Sequence, residues 1–287
     1  MLTKFTYTLQ DDNITIEELL RDRLDIGKKR MHELRMAKAI LNEQGEPLVW
    51  QHHYPAGTKL VFQLPFESSE YVPSEKYHLD VRYEDDHLLI VNKPAGMLTH
   101  PNEDGQTGTL MNDVTAYMVE KGATYAEHIH RLDQGTSGLI VIAKHSMMKS
   151  LLDRMLEEKK ILRFYEAIVE GVVKENHGSI KTAIGRDRHH PTRQVVSKSG
   201  KPAVTHFEVV GKHPNFTKLN VVLETGRTHQ IRVHLASIGY PVVGDTMYGA
   251  ITRSENYQLH AFRILFVHPI NGEEIKVEYP MEQAFKK

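Results

Sequence analysis

Apolar residues fall in short blocks along this chain, and the spacing inside the blocks separates strands from helices. Phe5-Thr6-Tyr7-Thr8-Leu9 alternates and predicts a strand. From Ile14 the period lengthens: Ile16, Leu19, Leu20 and Leu24 share one helical face, with Thr15 placed as N-cap and Glu18 three residues on. A second helical stretch, 28–38, is basic. Leu48-Val49-Trp50 and Lys59-Leu60-Val61-Phe62 read as short strands around the turn Pro55-Ala56-Gly57. Residues 1–65 thus make a small unit, and the polar stretch 66–78 reads as a linker.

The rest, 79–287, reads as one larger unit. Leu88-Leu89-Ile90-Val91 and Leu139-Ile140-Val141-Ile142 are unbroken apolar runs of buried-strand length, and the first ends in the turn Asn92-Lys93-Pro94-Ala95-Gly96. Helical spacing covers 109–119, 146–157 and 228–238; in the second, Met147, Leu151, Leu152, Met155 and Leu156 form the core face. Strands are expected over 164–169, 203–210, 218–223, 259–266 and 274–279. Strands dominate and helices are scattered. The expected class is therefore α+β, with a mixed, mostly antiparallel sheet in the large unit and a small N-terminal α/β domain.

Composition narrows the chemistry. An apolar content of 40% and a charged content of 25% describe an ordinary globular chain. No apolar run is long enough to cross a bilayer, and the N-terminal residues lack the apolar core of a secretory signal. Cysteine is absent, which removes disulfides, thiol nucleophiles and thiolate metal ligands. These features point to the cytoplasm. The net charge of −1 announces no nucleic-acid partner, so local patches must carry that argument. One is 28–38, where Lys28, Lys29, Arg30, Arg35 and Lys38 face only Glu33. The other is 186–201, with Arg186, Arg188, Arg193, Lys198 and Lys201 against Asp187. Each is either a solvated face or a contact surface for phosphates. The 18 histidines show no metal-ligand spacing, so a metal-dependent hydrolase has no support. Neither G-x-S-x-G nor a phosphate-cradling glycine loop occurs.

What remains is the stretch His130 to Lys144, HRLDQGTSGLIVIAK. Charged residues, a turn at Gly135 and Gly138, and then a buried strand would hold a loop carboxylate, Asp133, firmly in place. Asp and Gly performing turn chemistry explain the same letters. A buried carboxylate needs a cation, and arginine suits that task because it stays charged and its planar fork matches a carboxylate. Candidates are the adjacent Arg131, Arg227 before the last helix, and Arg232 within it.

Four segments, in order over about Leu79 to Pro280, resemble the bacterial RNA pseudouridine synthases of the group that modifies large-subunit ribosomal RNA and some tRNAs (the RluA/RluD-like group). HRLDQGTSGLIVIAK is similar to their signature loop, which implies that Asp133 is the catalytic aspartate. Tyr83 to Pro101, YEDDHLLIVNKPAGMLTHP, resembles a mainly structural motif. Arg163 to Gly171, RFYEAIVEG, resembles the motif of the active-site tyrosine, here Tyr165. Leu223 to Gly249 resembles the motif of the arginine, mapped to Arg232 with Arg227 as the alternative and Ile231 as an apolar wall. Many members carry a small RNA-binding domain at the N-terminus, which residues 1–65 fit, although its turn is lengthened and acidic at Ile40 to Gly45.

The resemblance implies an isomerase with no cofactor. It detaches uracil from ribose, turns the base and rejoins it through carbon, with Asp133 as nucleophile or as base and Tyr165 stacked on a flipped uracil, or also accepting a proton later in the reaction. Arg131, Arg227, Ile231, Arg186 and Arg188 are the expected substrate contacts, and 23S rRNA or tRNA the expected partner. Nothing in the pattern calls for a membrane, an obligatory protein partner or more than a monomer. A non-catalytic RNA-binding or ribosome-assembly factor explains the basic patches equally well. It gives no chemical reason for the set Asp133, Tyr165 and Arg232.

Overall fold

The structure is a computed structural model that describes residues 3–65 and 67–281. Residues 1, 2, 66 and 282–287, which bound the expected segments, lie outside the described residues. The N-terminal strand Thr3–Thr8 pairs antiparallel with Lys59–Leu64, which also pairs with Ile40–Leu41. Thr15 caps the first helical turn as its spacing predicted: its hydroxyl accepts from the Glu18 amide at 3.1 Å, and the Glu18 carboxylate accepts from the Thr15 amide at 2.9 Å. The basic helix is Lys28–Met36.

Leu48-Val49-Trp50 forms no strand. The Arg35 guanidinium covers the Trp50 ring at 4.5 Å, and the partner of Ile14–Thr15 is His53–Tyr54. The basic patch is also smaller than its letters. Arg30 turns inward to Glu33, Glu67 and the Ser146 hydroxyl, and Arg35 pairs with Glu17 at 2.8 Å.

The large unit is built on a ten-stranded sheet. Its path runs His177–Ile180, Thr205–Lys212, Phe216–Leu223, Leu162–Glu170, Leu259–Val267, Ser137–Ala143, Leu88–Lys93, Asp80–Glu84. Every ladder is antiparallel except one: Ser137 and Gly138 pair in parallel with His260 and Ala261. That pairing joins the two halves of the sheet. At Gly138 a side chain has no room, since a β-carbon would lie 2.4 Å from both the backbone nitrogen and oxygen of Ala261, and φ is +119°. Leu139 to Ala143 are fully buried because the strand is central and covered on both faces.

Helices Leu110–Glu120 and Ser146–Glu157 form where helical spacing placed them. Among the described residues, five short strands of the large unit were not expected: Asp80–Glu84, Glu127–His128, His177–Ile180, Gln194–Val196 and Ile184–Arg186. The last pairs with Gln194–Val196, so the basic stretch 186–201 is largely a two-stranded hairpin and not an open loop. Phe5 stacks on His145 at 5.0 Å and meets His87 edge-on at 4.8 Å, so the N-terminal sheet is packed on the large one. Among the described residues no helix is long and apolar enough to cross a membrane.

Candidate active site

The loop before strand Ser137–Ala143 is fastened from beneath. Lys93, fully buried, donates from Nζ to the carbonyls of Pro94, Met97 and Gln134 at 2.8, 2.7 and 3.2 Å. These acceptors match the three protons of an ammonium. Burial nevertheless pulls Lys93 down to about 7, against the attraction of Asp133. The Thr99 hydroxyl donates to the Leu132 carbonyl at 2.9 Å and accepts from the Leu132 amide at 3.1 Å. The Thr136 amide donates back to the Asp133 carbonyl at 3.0 Å, closing the turn. Asp133 thus sits on a loop whose neighbours on both sides are fixed.

Its carboxylate meets Arg232. Nη1 of Arg232 donates to Asp133 Oδ2 at 3.2 Å, while Nε and Nη2 donate to the two oxygens of Asp245 at 2.6 and 2.9 Å. Arg232 is 4% exposed. Burial works against its charge, but the Asp245 hydrogen bonds, Tyr257 and both carboxylates hold its pKa above the ordinary value. Tyr257 and Tyr248 lie 4.2 and 5.0 Å from its guanidinium carbon, supplying π faces in place of water. Arg232 is carried by helix Gln230–Ser237, which Gln230 anchors: Nε2 donates to the Val204 carbonyl and the Thr205 hydroxyl, each at 3.0 Å. The helix opens at His229, whose φ of 55° is unusual for a residue with a side chain. That geometry brings His229 Nε2 within 3.9 Å of Asp133 Oδ2. Burial keeps His229 below the ordinary histidine range, opposed by Asp133.

Asp133 lies between two openings. On one side a cavity of about 550 Å³ is lined by Asp133, Arg163, Tyr165, Ile231, Arg232 and the turn at Gly226. On the other, a wider groove of about 1100 Å³ passes Thr99, Gln134, Asp245 and Tyr257. Tyr165, 4% exposed, stands on the central strand Leu162–Glu170. Burial raises its phenol above the ordinary range, with Arg163 opposing and Asp133 adding to the rise.

The expected residues divide accordingly. Asp133, Tyr165, Ile231 and Arg232 are brought together, and Arg131 and Arg227 reach the same cavity as exposed side chains. Arg227 is tied to the Pro202 carbonyl at 3.1 Å and does not contact Asp133, so the cation at the carboxylate is Arg232. Arg186 and Arg188 lie on the 184–196 hairpin. Arg186 borders a neighbouring cleft of about 380 Å³ that meets the cavity at Gly226 to Thr228, and Arg188 lies farther out beside His189 and His190. Sequence reasoning did not single out Asp245, Tyr257, His229, Lys93 or Arg163. The need of a buried arginine for a carboxylate could have pointed to Asp245, 13 residues beyond Arg232. Among the described residues no group of three or more histidines or carboxylates is placed to hold a metal ion.

Known proteins share both the sequence and the architecture that build this site. Residues 87–237 match the family model described as RNA pseudouridylate synthase, and residues 3–60 match the RluD ribosomal pseudouridine synthase N-terminal domain. An uncharacterized RNA pseudouridine synthase of Bacillus subtilis is 50% identical over 224 residues, which span 77% of this chain and 74% of that protein. A ribosomal large subunit pseudouridine synthase D of Neisseria meningitidis is 40% identical over 230 residues, 75% of this chain and 61% of the relative. Among solved structures, human RNA pseudouridylate synthase domain containing 1 superimposes with a TM-score of 0.61 at 27% identity, covering 72% of this chain and 85% of that one.

Proposed function

The chain belongs to the RNA pseudouridylate synthase family and is an RNA-modifying isomerase, and from that premise we propose that it converts chosen uridines of structured RNA, 23S rRNA or tRNA, with Asp133 as the reacting group. The observation that carries this assignment is the Arg232 guanidinium shared between Asp133 and Asp245. A carboxylate held by a buried, permanently charged arginine beside a cavity is oriented either to attack the anomeric carbon or to take the neighbouring ribose proton.

The cavity admits one nucleoside turned out of its stack, a step that costs a few kcal/mol and least for an unpaired base. Tyr165 and Ile231 wall the base. A phenol raised by burial stays protonated at neutral pH, so Tyr165 serves better as a stacking face than as a base; such stacking contributes about 1–3 kcal/mol. Closing the cavity over the base removes water from Asp133 and strengthens its pairing with Arg232. The reaction exchanges one bond from ribose to uracil for another and leaves the atom count unchanged. In this reading Arg131, Arg227, Arg186 and Arg188 follow the RNA backbone. We read residues 1–65 as an accessory RNA-binding domain, 66–78 as its linker and 79–287 as the catalytic domain; the match of residues 3–60 to a synthase N-terminal domain supports this division.

RNA from a strain lacking the protein supplies the test. Incubated with the purified chain, it gains pseudouridine at a defined position; with Asp133→Asn it gains none, while RNA affinity stays within a few-fold. Wild-type protein that converts no uridine in any cellular rRNA or tRNA would refute the proposal.

A further inference from the structure

The cations around the cavity differ in how their charge is matched. Arg232 is shared by Asp133 and Asp245, Lys159 pairs with Glu224 at 3.4 Å, and Arg227 Nε donates to the Pro202 carbonyl. Arg131 is exposed, where water compensates it. Arg163 fits neither case. It is half-buried, its Nε is buried without a hydrogen-bond partner, and no carboxylate pairs with it among the described residues. Only Nε is buried in this way; the two Nη atoms are not, so an anion arriving with a ligand can reach the charge that no carboxylate among the described residues matches.

Its position says which part of a ligand. Arg163 stands two residues before Tyr165 on the same strand, and both line the cavity. Both Nη atoms lie 3.5 Å from where a β-carbon would stand on Gly226. The missing side chain leaves the fork uncovered at the rim, at the turn that also borders the Arg186 cleft. A planar two-pronged donor open at a rim suits a phosphate held by two parallel hydrogen bonds better than the single carbonyl edge of a base.

We infer that Arg163 binds a backbone phosphate adjoining the uridine that enters the cavity. This rests on the functional reading above. Tyr165 would then hold the base while Arg163, one side chain away, fixes the sugar–phosphate strand, so that the ribose is presented to Asp133 at a set distance.

The test uses the full chain and the RNA position identified with wild-type enzyme. Arg163→Ala is expected to raise KM about tenfold with kcat changed far less. It should also flatten the slope of log KM against log salt by about 0.7, the share of one phosphate on a single strand. Arg163→Lys keeps the charge and the slope but recovers only part of KM. Gly226→Ala, which places a methyl at ordinary contact distance over the fork, moves KM in the same direction. An oligonucleotide with a neutral methylphosphonate on one side of the target uridine raises the wild-type KM to that of Arg163→Ala and costs Arg163→Ala nothing further. The inference fails if Arg163→Ala lowers kcat while KM and the salt slope stay put. It fails equally if neutralising either flanking phosphate harms the variant as much as the wild type. If Arg163→Ala does not fold, Arg163→Lys and Gly226→Ala carry the same readouts. Wild-type enzyme without turnover would instead remove the functional reading, a separate result.

Discussion

Asp245 grips Arg232 through both carboxylate oxygens, at 2.6 and 2.9 Å, so the arginine that faces Asp133 is held from behind. Removing one partner of a buried ion pair leaves the other uncompensated. Asp245→Asn should cost about 3 kcal/mol of stability, the lower end for such a loss because Asp133 still faces the guanidinium. It should also lower kcat at least tenfold with KM little altered. Thermal unfolding and single-turnover pseudouridine formation measure both, and full activity in this variant would show that the second carboxylate is dispensable.

Gly138 and Gly135 separate fold from site. A methyl at Gly138 meets immovable backbone of Ala261 at 2.4 Å, so Gly138→Ala should break the parallel pairing and yield insoluble or unfolded protein. A methyl at Gly135 meets only the Tyr257 ring, at 2.7 Å. Gly135→Ala should therefore fold, at a cost of about 1–3 kcal/mol, and lose activity as Tyr257 shifts from Arg232. Soluble expression and circular dichroism distinguish the pair.

Lys93 joins the turn at Pro94 to the loop of Asp133. Lys93→Met keeps the length and removes the donor to the Pro94 and Met97 carbonyls, while the Gln134 carbonyl keeps only the Gly96 amide; each lost hydrogen bond costs about 0.5–1.5 kcal/mol. The expected outcome is a lower Tm together with a kcat loss, because the carbonyl of Gln134 directly follows Asp133. A variant with normal Tm and kcat would contradict this role.

Acid should loosen the N-terminal sheet first. His145 Nδ1 accepts from the Met148 amide at 3.1 Å, so its Nε2 carries the proton facing His87 Nδ1 at 3.0 Å. A second proton on His87 would point at the first. Burial, then His87, pulls His145 down to about 3, with Arg30 and Lys144 acting the same way and Asp85 opposing; His268 and Asp86 also face His87. The unfolded value is near 6.5, so the unfolded chain takes up the proton first. Stability is unaffected above about pH 6.5 and falls progressively towards pH 3. Emission from Trp50, the single tryptophan, follows the transition, and His145→Asn, which keeps an N-cap acceptor without a titrating ring, should flatten it.

Much of the fold was legible because burial is written in unbroken apolar runs. Leu88 to Val91 and Leu139 to Ile142 read as buried strands from their length and flanking turns, and Ser146–Glu157 carried its own core face. Short polar strands such as Ile184–Arg186 were not legible: each is held by one neighbour's ladder and leaves no period of its own. Leu48 to Trp50 misled because Leu48 and Trp50 do pack inward with Val49 exposed, as alternation predicts, but the segment joins no ladder. At the site, Asp133, Tyr165 and Arg232 came from motifs. His229 and Asp245 lie in the same motif segment as Arg232, but they and Tyr257 gather around Asp133 only once segments distant from it in the sequence meet. Arg163 looked like any other cation in the sequence, since only the absence of a partner in three dimensions sets it apart.

The parallel pairing of Gly138 with Ala261 also fixes an order of events during synthesis. A chain made from its N-terminus exposes the Asp133 loop long before Arg232, 99 residues later, or the strand Leu259–Val267 that completes the sheet has been made. Until then Arg232 is missing from the carboxylate, and strand Ser137–Ala143 lacks its parallel neighbour. If Asp133 and Arg232 act as proposed, the half-made chain is catalytically silent, and activity begins only once the sheet is complete.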